Sequence, residues 1–104
     1  MIIAMWSGPR NLSTAMMYAF AQRAGMEVVD EPFYAAYLAA TGLNHPMRDE
    51  VLASQPQDPR LVADQISSQP PSGNRFLKLM THHMLPEFPT DWMAQAWHAL
   101  MFQA

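Results

Sequence analysis

Two short stretches of this 104-residue chain bring together side chains that can do chemistry. The first, Ser7-Gly8-Pro9-Arg10-Asn11-Leu12-Ser13-Thr14, combines a glycine, a forked cation and hydroxyls. An apolar run, Ile2 to Trp6, feeds into it and a helical pattern leaves it. A strand, a tight turn and a helix in that order aim unpaired backbone N–H groups and the positive end of a helix dipole at one point. Such a point binds anions, phosphate above all. Gly8 permits a turn or a close backbone approach, Arg10 offers a bidentate fork, and Ser13 and Thr14 offer hydroxyls in the first helical turn. The same residues also read as an ordinary Gly-Pro turn with Ser13 as N-cap.

The second stretch, Lys78-Leu79-Met80-Thr81-His82-His83, places a lysine and two histidines at and just past the end of another apolar run. Near neutral pH a histidine can take a proton from a hydroxyl, and a lysine can neutralise charge on a sulfuryl or phosphoryl oxygen. The other reading puts one histidine in the core and one on the surface. A metal site is not expected, because adjacent residues on a strand point to opposite faces and no nearby Asp, Glu or Cys completes a ligand set. Between the two stretches, Asp30-Glu31 ends a third apolar run. These carboxylates either contact an acceptor or Arg10, or cap the helix that opens at Pro32.

The elements that must position these groups follow from hydrophobic pattern. Ile2–Trp6 is continuously apolar, as in a strand buried on both faces of a parallel sheet. A helix runs from Ser13 to about Ala24 with Met16, Ala19 and Phe20 inward, and Gly25 stops it. Met26–Asp30 is a second strand, giving a strand–helix–strand unit. The segment 32–40 is helical with Phe33, Tyr37 and Ala40 on one face. Its aromatic residues Phe33, Tyr34 and Tyr37 pack in the core or line an apolar acceptor pocket. Helices opening at Asn44-His45-Pro46 and at Asp58-Pro59, the latter with Leu61, Val62 and Ile66 buried, form with the loop 67–74 a helical insertion over residues 43–74. His45 reads as a surface-turn residue. Arg75–Met80 is the third strand, a helix runs from Trp92 toward Trp97, and residues 98–104 end as either strand or helix.

Composition narrows the function classes. Half of the residues are hydrophobic, enough for one small domain with a modest core. The formal charge of −3 provides no basic field for nucleic acid or an acidic membrane surface, so any anion site must be local. There is no cysteine, hence no disulfide and no thiolate zinc site. The N-terminal apolar run is too short for a signal peptide or a membrane span, and a cytoplasmic protein is expected.

The first stretch departs from the ATP-type P-loop, since Ser13, Thr14 and Ala15 stand where that motif has Gly, Lys and a magnesium-holding hydroxyl. A magnesium-dependent phosphotransferase using Asp30 or Glu31 as base is disfavoured on that ground. Instead Pro9-Arg10-Asn11-Leu12-Ser13-Thr14 resembles, position for position, the Pro-Lys-Ser-Gly-Thr-Thr loop of the sulfotransferases. Lys78 and His82, with Thr81 and Leu85-Pro86, are similar to that family's Lys-Thr-His-Leu-Pro segment once Leu79-Met80 and His83-Met84 are treated as insertions. The resemblance implies an α/β, P-loop-type three-layer fold with a short parallel sheet flanked by helices, incomplete relative to the full family fold. It implies 3′-phosphoadenosine-5′-phosphosulfate as donor, no metal, and a small-molecule hydroxyl or amine acceptor. Residues Gly8 to Thr14 would hold the donor, Arg10 and Lys78 would stabilise charge, His82 or His83 would be the base, and Glu31, Phe33 and Tyr34 would meet the acceptor. Relative to that family the chain looks truncated, so self-association or a complementing chain is expected, and a catalytically incompetent nucleotide- or phosphate-binding module is the alternative.

Overall fold

A computed structural model describes residues 1–8, 13–23, 25–70 and 73–101, with the side chains of Ser13, Thr14 and Met101 left out. Four parallel strands form one sheet: β1 (Ile2–Ser7), β2 (Met26–Asp30), β3 (Asn74–Met80) and β4 (Ala96–Met101), in the order β2-β3-β1-β4. Four helices connect them: α1 (Ser13–Ala21), α2 (Tyr34–Thr41), α3 (Arg48–Ser54) and α4 (Pro59–Ser67). The strand–helix–strand unit read from sequence therefore does not make neighbours of β1 and β2, because β3 pairs between them.

The uninterrupted apolar run of β1 divides its side chains between two cores. Ile2, Ala4 and Trp6 face a core built with Phe33 and Ala36, with Val62, Ala63 and Ile66 of α4, and with Phe88 and Trp92. Met5, with partly buried Ile3, faces the opposite core, where Met17, Met16 and Phe20 of α1 pack against Phe76 of β3. Helices thus cover both faces, giving three layers around a parallel sheet. Segment 43–74 supplies core through α4 and, after α2, makes up the rest of the β2–β3 crossover.

Several local readings change in the fold. Met17 is buried where Ala19 was expected, and Leu61 is exposed while Ala63 takes its place. In α2 the buried residues are Ala35, Ala36 and Leu38, and Tyr37 and Ala40 are not among them. Asp58 is the N-cap of α4, accepting from the Arg60 N–H at 2.9 Å with Pro59 next, as the sequence indicates. The helix expected after Trp92 is a 3-10 turn, Asp91–Gln95, ended by Ala96 entering the sheet beside Ile2. Pairing with β1 overrides local propensity and makes 96–101 a strand.

One buried cation ties the layers together. Arg75 of β3, 5% exposed, pairs with Glu27 of β2 at 3.1 Å and donates to the carbonyls of Gln65, Ile66 and Ser68 at the end of α4. It serves as the C-terminal cap that α4 lacks in its own sequence. Arg75→Ala should therefore lower unfolding free energy by about 2–3 kcal/mol, the range for losing charge-assisted bonds and leaving buried carbonyls unpaired. Glu27→Gln, at a carboxylate 39% exposed, should cost less than about 1 kcal/mol. Urea denaturation of both variants checks the difference.

Candidate functional site

In parallel sheets ligands gather at the carboxyl ends of the strands, beside a switch in strand order. Here the pairing of β1 with β3 decides what meets there. Ser7 lies opposite Met80, so the chain leaving β1 at Gly8 and the chain leaving β3 at Thr81 emerge side by side. Met101 of β4 lies opposite Ser7 on the other side. The end of β1 and the end of β3, some seventy residues apart, therefore share one edge.

Gly8 is described, does not adopt a positive φ, and has open space where a Cβ would stand. Pro9, Arg10, Asn11 and Leu12 lie outside the described residues, as do the Ser13 and Thr14 side chains; helix α1 opens at Ser13. The hydroxyl of Ser7 is buried and donates toward the Leu79 carbonyl at 3.4 Å, bracing β1 against β3 at the edge.

Lys78 is 8% exposed, with its Nζ 3.5 Å from Asp30 Oδ1 and 3.8 Å from Glu31 Oε1. The strand register explains this: Asp30 lies opposite Lys78, and the Glu31 N–H donates to the Lys78 carbonyl at 2.8 Å. Burial raises the Glu31 carboxyl above its usual range, the Lys78 ammonium opposes that rise, and Asp30 adds to it. Neither carboxylate caps α2, whose N-cap is Phe33 without a side-chain bond. Glu31 has φ 49°, a left-handed conformation uncommon for a side chain of its kind, so the turn that presents it is held by its surroundings.

His82 and His83 lie in a 3-10 turn, Thr81–His83, directly after β3. Because the chain has left the strand, their rings sit together, with centroids 4.5 Å apart, where strand geometry would have separated them. His83 is 3% exposed, stacked on Tyr34 at 4.6 Å and 8° and tilted against Tyr37 at 5.1 Å. Burial lowers its pKa to about 3, with the neighbouring His82, His45 and Lys78 charges acting in the same direction. Its buried Nδ1 has no hydrogen-bond partner among the described residues. His82 is exposed, edge-on to Tyr37 at 5.6 Å, and its pKa is lowered by burial and then by His45.

His45 joins this group, contrary to its reading as an isolated surface residue. Its Nδ1 is 3.1 Å from the Tyr34 hydroxyl, and its ring is 6.1 Å from that of Tyr37. Burial, and then the Glu31 charge, raise the Tyr34 phenol. Phe33 goes elsewhere: it is 1% exposed and stacked between Phe88 and Trp92, and burial removes it from any acceptor pocket. Lys78, His82, His83, Glu31 and Tyr34 are thus neighbours, while Phe33 is core. No sequence signal pointed to His45, because its partners come from a helix and a turn remote from its own Asn-His-Pro context. Among the described residues no group of His, Asp and Glu is arranged to hold a metal ion, and no helix is long and apolar enough to cross a membrane.

Comparison with known proteins bears on this arrangement. The chain is 40% identical over 103 residues to branched-chain-amino-acid aminotransferase-like protein 1 of Arabidopsis thaliana. It is 39% identical over the same length to the like-named protein 2 of that plant. Each match covers 98% of this chain but only 19% and 18% of the relatives, so the chain spans less than a fifth of their length. No solved structure matches. The family model for the sulfotransferase domain matches residues 1–104, its whole length, and with the three-layer parallel sheet and the lysine–histidine edge the chain belongs to that family.

Proposed function

We propose that this chain is a P-loop-type sulfotransferase domain that transfers a sulfuryl group from 3′-phosphoadenosine-5′-phosphosulfate to a hydroxyl or amine acceptor. The observation that carries the reading is the register of β1 against β3, which brings the start of the Gly8–Thr14 loop beside Thr81, His82 and His83. An anion loop and a lysine–histidine pair on one edge suit a reaction in which little covalent work falls to the protein and positioning and charge stabilisation dominate. The acceptor oxygen or nitrogen would attack sulfur, the bond from sulfur to the bridging phosphate oxygen would break, and adenosine 3′,5′-bisphosphate would leave. Arg10 and the hydroxyls of Ser13 and Thr14 would hold the 5′-phosphate. Lys78, oriented by Asp30 and Glu31, would balance charge on the leaving oxygen.

His82 is the better base of the two histidines. It is exposed, and its lowered pKa keeps it unprotonated at neutral pH. His83, with a pKa of about 3, is too weak a base to draw the acceptor's proton efficiently. Its unpartnered Nδ1 instead suits a hydrogen bond to a group arriving at the site. Glu31 enters this scheme as a partner of Lys78 and Tyr34 as the platform under His83. The reading of a binding module that completes a longer assembly has its own support in the relatives' length and in exposed Trp97 and Leu100 on the edge strand β4.

Three outcomes are expected. Amide NMR titration with adenosine 3′,5′-bisphosphate should shift Gly8 and the first turn of α1, and Arg10→Ala should weaken binding roughly ten- to a hundredfold, the worth of a charge-assisted contact. Indifference of those amides to the ligand would overturn donor binding. With labelled donor and an acceptor screen, His82→Ala should slow transfer by about 10²–10⁴-fold while bisphosphate binding stays unchanged; binding without any transfer in the wild type would favour the module. The third outcome concerns acid stability. Below about pH 6.5 the unfolded chain protonates His83, whereas the folded chain does not until about pH 3, so stability falls with acid across that window. The contribution is about 1.4 kcal/mol per pH unit from this group. His83→Phe, which keeps the stack on Tyr34, should flatten the slope measured by urea denaturation at stepped pH.

A further inference from the structure

Helix α3 carries no residue with evident chemistry in the sequence, yet the residue at its C-terminal end reaches the turn that presents the acidic partners of Lys78. Gln55 accepts from the Ala35 N–H through Oε1 at 3.1 Å, and its Nε2 donates to the carbonyls of Glu31 at 3.2 Å and Asp30 at 3.4 Å. Ala35 is in the first turn of α2, where a helix has N–H groups without partners of their own, and the residue at the N-cap is Phe33, which has no side chain to offer. One amide side chain thus caps α2 from twenty residues away and clamps both carbonyls of a turn in which Glu31 holds φ 49°.

We propose that Gln55 is a positioning residue for the lysine–carboxylate group: it holds the Asp30-Glu31 turn so that both carboxylates face Lys78 at the site edge. The donor–acceptor pattern supports a dedicated role. Only a side chain with both an acceptor and a two-hydrogen donor satisfies an orphan N–H and two carbonyls at once, which asparagine is too short to reach and glutamate cannot donate to. The raised Glu31 carboxyl agrees with a turn held in place, since a loose turn would let Glu31 swing into solvent and escape the burial that raises it. The groups facing Glu31 are Lys78, Asp30 and the Tyr34 phenol. The assignment of a function to this geometry rests on the sulfotransferase reading above, through the task given there to Lys78.

The test uses Gln55→Met, which keeps the side chain's bulk and loses all three bonds, and Gln55→Glu, which keeps only the bond from Ala35. In Gln55→Met the Ala35 amide should exchange about tenfold faster, the worth of one hydrogen bond. The Glu31 carboxyl, followed by ¹³C NMR, should fall back toward the ordinary carboxylate range, and the Glu31 backbone shifts should leave the left-handed pattern while the sheet amides stay put. In Gln55→Glu the Ala35 amide should stay protected while the Glu31 backbone shifts still change, and this variant carries the test alone if Gln55→Met does not fold. Glu31 backbone shifts that stay in place in a folded variant, with its titration unmoved in Gln55→Met, would overturn the proposal and leave Gln55 as a helix cap only. These readouts need no sulfuryl transfer. A chain that never transfers sulfate but loses the Glu31 signature retains Gln55 as a positioning residue and refutes only the function given to the site.

Discussion

The molecule depends on one constraint: β1 is central, flanked by β3 and β4, with both faces covered. The chain leaves β1 and β3 at one edge, and the relative height of the two strand ends is set by the Ser7–Met80 pairing. A slip of one residue would turn the β3 side chains to opposite faces, burying Lys78 in an apolar layer and bringing Leu77 or Leu79 to the edge. The apolar alternation that fills two cores therefore also fixes which residue reaches the site. Packing and function are specified by the same pattern.

At that edge, burial is the dominant electrostatic influence. It raises the Glu31 carboxyl and holds His83 neutral, and the local charges only modify those shifts. The result is an ammonium set against two carboxylates, next to a neutral imidazole, His83, stacked on the Tyr34 phenol. On the function proposed above, such a site would meet an anion with a lysine whose position is already decided, without waiting for a flexible surface chain to order.

Much of this was legible in the sequence where the signal was local. A continuous apolar run marked β1, shorter apolar stretches marked β2 and β3, and Asp58-Pro59 marked the start of α4. The lysine near the end of β3 and the histidines past it were found because residue type and strand end coincide in one short stretch. What sequence reading missed was determined by contacts at long range. β4 looked ambiguous because only pairing with β1 makes it a strand, and the stripe of α2 was misplaced because Ala35, Ala36 and Leu38, not its tyrosines, are the residues it buries. His45 and Gln55 are recruited by neighbours from other elements, and no spacing rule in the chain announces them. The acceptor role expected of Phe33 failed for a related reason: an aromatic at a helix start is equally suited to a pocket and a core, and Phe88 and Trp92 decide for the core.

The central position of β1 also bears on how the chain reaches this structure. Within this sheet β1 pairs only with strands far along the chain: the terminal amine of Met1 is bonded to the Gly73 carbonyl, 72 residues on, and the β4 partners lie further still. Closing loops of that length must precede any reward from the sheet, so folding should belong to the slow, high-contact-order class in spite of the small size. During that interval the apolar strand β1 stands without its sheet partners. The architecture that makes a well-placed site in the finished molecule thus asks most of the cell while the molecule is being made, when chaperone access and synthesis rate govern the yield.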